Sequence, residues 1–277
     1  MRFHKRTPVR RRFSIAFTVL LPSLLPGGGA SAQENQGEIV LGSYERVFSA
    51  GLNEDRVLKV KLPVGYGVGE QRYPVLYLLD AEWEALFNLA SGTVDHAAEA
   101  DITPEMIVVG ISNTDRTRDM IPTVVADLPG SGGGREFLEF ITQELVPYVD
   151  DRYRANSNNI LYGGSSAGLF TVFAILERPD VFFAGIAGSP MIGFCKEFIY
   201  RTADRLKDRE DFEGTFLYMI YGENDYPKST EYAPEFHNYL KEVGPEGFES
   251  ELVQVTGEGH VPYMSLYNGL KRVFSRR

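Results

Sequence analysis

Cysteine and histidine, the residues that most often hold disulfides and zinc, are scarce in this sequence of 277 residues. The one cysteine, Cys195, has no second cysteine in the chain with which to form a disulfide. Only four histidines occur, and the sequence contains neither a Cys/His cluster nor an HExxH motif. We therefore expect no zinc site and no other cofactor.

The N-terminal apolar stretch, 13–25, is too short for a stable membrane anchor, which needs about 20 residues. It follows a head with six basic residues and precedes Ala30-Ser31-Ala32, small residues typical of a cleavage site. This pattern predicts a secretory signal peptide over 1–32 and a periplasmic or secreted protein that starts at Gln33, without stable membrane insertion. An uncleaved anchor is the alternative, and Arg10-Arg11-Arg12-Phe13 leaves Sec and twin-arginine export both open.

Basic residues are too few to balance the acidic ones. Without the six basic residues of the signal peptide, the chain carries 22 basic and 38 acidic residues, a formal charge of −16. Such a surface repels nucleic acid and anionic membranes, so we expect neither as a partner. The length and the hydrophobic content of 43% are ordinary for one soluble domain, which we place at 33–277. The oligomeric state stays open.

Predicted strands alternate with predicted helices along this domain. Two mixed segments at the start predict an antiparallel edge pair of strands, and a long polar, Gly-rich loop is predicted at 112–134. The edge pair covers 38–47 and 56–62, the later strands 73–79, 106–111, 159–162, 184–187, 215–221 and 251–255, and the helices 82–90, 135–149, 167–176, 195–206, 231–243 and 263–274. The alternation predicts an α/β fold with a mostly parallel central sheet and helices on both faces. Sites in such sheets lie at the carboxyl ends of the strands.

A G-x-S-x-G pattern, Gly164-Ser165-Ser166-Ala167-Gly168, lies between a predicted buried strand and an apolar helix. The pattern places a nucleophilic serine on a strained turn, where glycines let strand and helix approach closely. Ser166 has glycine two residues before and two after it, whereas Ser165 is followed by Ala167 at that distance. We therefore predict Ser166 as the nucleophile.

A serine nucleophile needs a base, usually a histidine that a carboxylate orients. In α/β-hydrolase order the acid follows the serine and the histidine comes last. Of the histidines, His260 alone lies late, in a loop directly after a predicted strand, and we predict it as the base. The acid is Asp225 or Glu223, both just past the strand at 215–221. Asp225 is favoured because it lies further into the loop.

Several motifs, taken in order, resemble one esterase family. They are Tyr73-Pro-Val-Leu-Tyr-Leu-Leu-Asp80, Val108-Val-Gly-Ile-Ser-Asn113, Arg116-Thr-Arg-Asp119 and Gly163-Gly-Ser-Ser-Ala-Gly168. The family includes siderophore esterases, S-formylglutathione hydrolase, feruloyl esterases and mycolyltransferases. The resemblance implies the α/β-hydrolase fold, a Ser166–Asp225–His260 triad and no cofactor.

The expected oxyanion hole takes one backbone N–H from the residue after the nucleophile, Ala167, and one from the loop 80–82. By the resemblance, the second donor is the backbone of Glu82. Arg118 and Trp83 are candidate substrate contacts, as are Arg116 and Asp119 beside Arg118 in the long loop. For the three loop residues the alternative is a surface ion pair that orders the loop. This chain has Asp80-Ala81 where many relatives have Asp-Gly, and it lacks the tryptophan that often follows Ser189-Pro190.

These features predict a secreted serine esterase that acts on a small-molecule ester. A siderophore-type or other polar ester is favoured over a lipid, because the sequence has no extended apolar lid and the mature surface is acidic. An acyltransferase with the same triad and a non-catalytic binding protein on a hydrolase scaffold are the alternatives.

Overall fold

The computed structural model describes residues 40–276, and the signal peptide predicted at 1–32 lies outside the described residues. Eight strands form one sheet in the order β1-β2-β4-β3-β5-β6-β7-β8. Antiparallel pairing joins β2 to β1 and to β4, and the other neighbours are parallel. The strands are β1 (Ser43–Ser49), β2 (Glu54–Lys61), β3 (Tyr73–Leu78), β4 (Ile107–Ile111), β5 (Ala155–Gly164), β6 (Phe182–Gly188), β7 (Phe216–Gly222) and β8 (Glu249–Val255).

Ten helical elements cover the sheet within the described residues. They are α1 (Glu84–Glu99), α2 (Arg116–Met120), α3 (Gly134–Glu139), a π-helical segment (Phe140–Leu145), α4 (Val146–Arg152), α5 (Ser166–Glu177), α6 (Lys196–Asp204), α7 (Pro227–Thr230), α8 (Tyr232–Val243) and α9 (Ser265–Phe274). The described residues also contain three short 3-10 turns, Val64–Gly67, Ile192–Phe194 and Arg205–Asp208. None of the described helices is long and apolar enough to cross a membrane.

The sheet is buried on both faces, which explains the near-continuous apolar runs of its central strands. Every residue of β3 and β4 is buried. Along β3, Val75 and Tyr77 belong to one hydrophobic core, and Leu76 and Leu78 belong to the other, because successive side chains of a strand point to opposite faces. Helix α5 packs in the first core, and α1 and α9 pack in the second. The predicted α/β architecture, its antiparallel edge pair and its parallel central strands are confirmed.

Two predicted segments differ from the structure in more than their bounds. The helix predicted at 135–149 is interrupted by the π-helical segment. Pro147 follows it in the first turn of α4, and a proline has no N–H to continue the helical hydrogen bonds. The loop predicted at 112–134 contains α2, whose first turn is capped when the Asp115 side chain accepts a hydrogen bond from the backbone N–H of Arg118.

Candidate active site

The turn between β5 and α5 carries the backbone strain that the G-x-S-x-G pattern predicts. Ser165 has φ 63° and ψ −122°, whereas Ser166 is already the first residue of the helix. A Cβ at Gly163 would lie 2.4 Å from the carbonyl oxygen of Ala167, and a Cβ at Gly168 would lie 2.7 Å from that of Gly188. The glycines therefore allow the close approach, but the prediction that Ser166 takes the strained conformation is wrong.

The two serines also differ in access. Ser165 is partly exposed and lines a pocket of about 240 Å³, together with His260. Ser166 is buried, with 9% of its surface exposed. Ser165 is held in place because its N–H donates to the carbonyl of Gly188 over 2.8 Å. The strained residue is thus the one whose side chain reaches the pocket.

An imidazole–carboxylate pair lies in the loops after β7 and β8. Nδ1 of His260 is 2.6 Å from Oδ1 of Asp225, whose side chain is fully buried. The same oxygen accepts the backbone N–H of Tyr226 over 2.6 Å, and the Tyr226 ring lies 4.8 Å from the imidazole between centroids. Glu223, the alternative acid, is exposed and accepts the N–H of Gly257 instead. Asp225 is therefore the carboxylate that contacts the histidine.

A hydrogen bond joins the loop that carries His260 to the residue that follows β6. Val261 has φ 53°, which is unusual for a β-branched residue, and its N–H donates to Oγ of Ser189 over 2.8 Å. Ser189 is itself fully buried, with φ 46°. This support was missed from the sequence, although the Ser189-Pro190 pair directly after a predicted strand marks the position. The bond fixes the backbone next to the imidazole.

The backbone donors near Ser165 differ from those expected. Ala167 is the second residue of α5, is completely buried and does not directly follow the strained Ser165, so the premise on which it was expected to be an oxyanion donor does not hold. Ser166 is the first residue of α5, where a backbone N–H has no partner within the helix. In the opposite loop, the N–H of Ala81 donates to the carbonyl of Ile111. The carboxylate of Glu82 accepts two hydrogen bonds from Asn113.

Arg116, rather than Arg118, lies at the pocket. Its guanidinium makes two hydrogen bonds of 2.8 Å to the buried carboxylate of Asp80 and lies 5.5 Å from the ring of Trp83. Burial opposes its charge, but the bonds to Asp80 outweigh this effect and raise the pKa of Arg116. Trp83 also lines the pocket, and its role as a substrate contact stays a prediction.

Arg118 belongs to an ion-pair network and does not line the pocket. It lies 2.7 Å from Glu54 and 2.7 Å from Asp119, and Asp119 also pairs with Arg56 over 2.8 Å. The side chains of Arg56 and Asp119 are fully buried. The prediction of Arg118 as a substrate contact is therefore wrong, because its donors already bind carboxylates that order the loop. Within residues 40–276, no group of three or more His, Cys, Asp or Glu side chains is arranged to hold a metal ion.

Comparison with known proteins identifies a family whose sequence model matches this chain. The family model described as "Putative esterase" matches residues 49–231. The ferri-bacillibactin esterase BesA of Bacillus subtilis is 29% identical over 219 residues, which cover 68% of this chain and 74% of BesA. The siderophore triacetylfusarinine C esterase of Aspergillus fumigatus is 31% identical over 136 residues, 45% of this chain and 46% of that protein.

A solved structure supports the same assignment. The IroE-like serine hydrolase from Shewanella oneidensis superposes with a TM-score of 0.77 at 27% identity, over 84% of this chain and 80% of that one. The siderophore hydrolase EstA from Aspergillus nidulans shares the fold, with a TM-score of 0.73 at 19% identity over 85% of this chain and 95% of that one. Because the family model covers well over half of the sequence, the chain belongs to this esterase family of α/β hydrolases and is a carboxylic ester hydrolase.

Proposed function

We propose that the chain is a secreted serine esterase in which Ser165, His260 and Asp225 form the catalytic triad. The observation that carries the proposal is the conformation of Ser165, which is the strained residue of the turn and shares a pocket with His260. The contact between His260 and Asp225 supports the other two roles. Export rests on the sequence pattern of 1–32.

In this mechanism the hydroxyl oxygen of Ser165 attacks the ester carbonyl carbon while Nε2 of His260 takes the hydroxyl proton. Asp225 accepts the Nδ1–H of the imidazole and stabilises the imidazolium that forms. The tetrahedral intermediate collapses, the bond to the alkoxy oxygen breaks, and His260 returns the proton to the leaving alcohol. Water, deprotonated by the same histidine, then attacks the acyl-enzyme, and release of the acid restores Ser165.

The developing oxyanion needs two N–H donors, and one of them changes when Ser165 rather than Ser166 is the nucleophile. With Ser165 as nucleophile, the residue after it is Ser166, whose N–H has no partner within α5 because it lies in the first turn. The backbone of Glu82 remains the proposed second donor. Arg116 is tied to Asp80 and also lies 3.5 Å from the carbonyl of Gly164, so it links the loop after β3 to the serine turn.

The proposed substrate is a siderophore-type or similar polar ester. One relative, matched over 68% of this chain, is named a ferri-bacillibactin esterase, and another, matched over 45%, is named a siderophore triacetylfusarinine C esterase. The pocket itself places the guanidinium of Arg116 beside the indole of Trp83, a combination suited to polar groups carried on a flat ring.

The test compares two adjacent serines. Ser165→Ala should lower kcat for p-nitrophenyl acetate by about 10⁴- to 10⁶-fold, because triad residues act as a unit. Ser166→Ala keeps the backbone N–H and should stay within about threefold of the wild type. A fluorophosphonate probe followed by peptide mass spectrometry should label Ser165. Labelling of Ser166, or loss of activity in Ser166→Ala alone, would show that the nucleophile is the second serine.

A further inference from the structure

A second hollow, of about 520 Å³, lies between α1 and the segment that leads into α9. We call it the α1–α9 groove. Its walls include Leu89, Gly92, Thr93 and His96 from one side and Tyr263 and Tyr267 from the other. The mechanism described above makes no use of it.

The groove continues the walls of the catalytic pocket. Trp83 and Leu86, at the start of α1, line the pocket, and Leu89 and Thr93 line the groove further along the same helix. Residues three and four apart share a helix face, so one stripe of side chains runs along both hollows. On the other wall, Tyr263 follows the pocket residues 260 and 261 after a single proline. From Trp83 to His96 this wall is roughly 20 Å long.

The lining of the groove is mostly apolar, and its polar side chains include those of Asn88, Thr93 and His96. No carboxylate, ammonium or guanidinium group is among the described residues that line it. Tyr263 is 67% exposed and Met264 43% exposed, and the large exposed side chains of Trp83 and Tyr226 also lie close to His260. Exposed apolar side chains grouped around a site mark a binding surface. The surface fits flat apolar groups without a net charge.

The position of His260 decides which part of an ester would enter. The imidazole returns its proton to the leaving alcohol, so that alcohol lies on the histidine side of the pocket. Tyr263, which lines the groove, follows His260, which lines the pocket, by three residues, and this spacing places the groove on the histidine side. We propose that the α1–α9 groove binds the alcohol portion of an extended ester whose alcohol carries flat, uncharged groups. This proposal rests on the proposed serine-esterase function.

Gly92 offers a way to fill the groove. The residue lies inside α1, and apart from its chain neighbours and the nearby backbone of the same helix, no atom lies within 4 Å of a Cβ at this position. Gly92→Trp therefore places an indole in the open space, whereas Gly92→Ala adds only a methyl group. Asn238→Trp, at an exposed position of α8, controls for an added surface indole.

The experiment measures kcat/KM in a pH-stat for two acetates, 8-phenyloctyl acetate and ethyl acetate, which share an acyl group. In the wild type the ratio of the two values should favour the long alcohol at least about tenfold, or roughly 1.4 kcal/mol. Gly92→Trp should lower this ratio at least about fivefold, and Tyr263→Ala should lower it as well. Asn238→Trp should keep most of it, and Gly92→Ala, which adds only a methyl group, should lower it less than Gly92→Trp does. Circular dichroism checks that each variant is folded.

The outcomes separate the two proposals. An unchanged ratio in both Gly92→Trp and Tyr263→Ala would show that the groove takes no part in binding. If Gly92→Trp lowers kcat/KM for ethyl 8-phenyloctanoate but not for 8-phenyloctyl acetate, the groove binds the acyl chain, and the assignment to the alcohol is overturned. A wild-type protein that hydrolyses none of these esters, or a Ser165→Ala variant that hydrolyses them at full rate, would instead refute the proposed triad.

Discussion

The buried carboxylate of Asp225 gives the sharpest quantitative prediction, for the variant Asp225→Asn. In the wild type Oδ1 of Asp225 receives two hydrogen bonds, from His260 and from the N–H of Tyr226. The other oxygen, Oδ2, is buried and has no partner among the described residues. An asparagine must therefore put its NH₂ group either toward the imidazole or into this buried position.

Both orientations of the asparagine impair the base. An amide NH₂ that faces His260 holds the wrong tautomer, with Nδ1 as acceptor, and it also faces the N–H of Tyr226. The opposite orientation buries an NH₂ donor without an acceptor, at a cost of about 1–3 kcal/mol. In neither case is the imidazolium stabilised by a negative charge. We expect kcat to fall about 10⁴-fold, which corresponds to about 5.4 kcal/mol of activation free energy.

The assay is hydrolysis of p-nitrophenyl acetate by purified protein, with circular dichroism as the check of folding. Glu223→Gln is the matched control, because the amide oxygen can still accept the N–H of Gly257 and the side chain is exposed. It should stay within about threefold of the wild type. If Glu223→Gln loses activity and Asp225→Asn keeps it, the contact between Asp225 and His260 does not support catalysis and the proposed acid is wrong.

Two further predictions concern stability. Arg56→Met should lower the free energy of unfolding by about 3 kcal/mol in urea titrations, because Asp119 stays fully buried and keeps only Arg118 as a cation; a change below about 1 kcal/mol would contradict this. Burial lowers the pKa of His237, so the unfolded chain binds more protons there and stability falls as the pH drops below the unfolded value of about 6.5. When the pH falls from about 7.5 to about 5.5, the Tm of His237→Gln should therefore decrease less than that of the wild type. An equal decrease would refute the argument.

Much of the fold follows from periodicity and composition. The run at 73–79 has no polar residue to face water, which requires a strand covered on both sides, and β3 is buried at every position. Helix α5 is nearly all apolar and is buried along its length. The late histidine and the carboxylate after the strand at 215–221 also lie together, because parallel strands end at the same edge of the sheet.

Short helices and local breaks are harder to predict, because a few contacts decide them. Helix α2 has five residues and depends on one cap from Asp115. The positions of the two arginine side chains in this stretch depend on partners distant in sequence. Arg116 meets Asp80, 36 residues away, and Arg118 meets Glu54, 64 residues away. Nothing in the local pattern distinguishes the arginine that lines the pocket from the one that orders the loop.

The choice between the two serines shows the same limit most clearly. The sequence has glycine at 163, 164 and 168, so counting two residues to either side favours Ser166. The space around each glycine reverses that choice, because the backbone crowds Gly163 and Gly168, while the atoms nearest to a Cβ at Gly164 belong to the side chain of Val261. The tight crossing therefore begins at Gly163, and the residue that must bear the strained φ is the one two positions later, Ser165. Alanine at 167 is accepted after Ser165 because its position is already helical and its methyl group lies in the core.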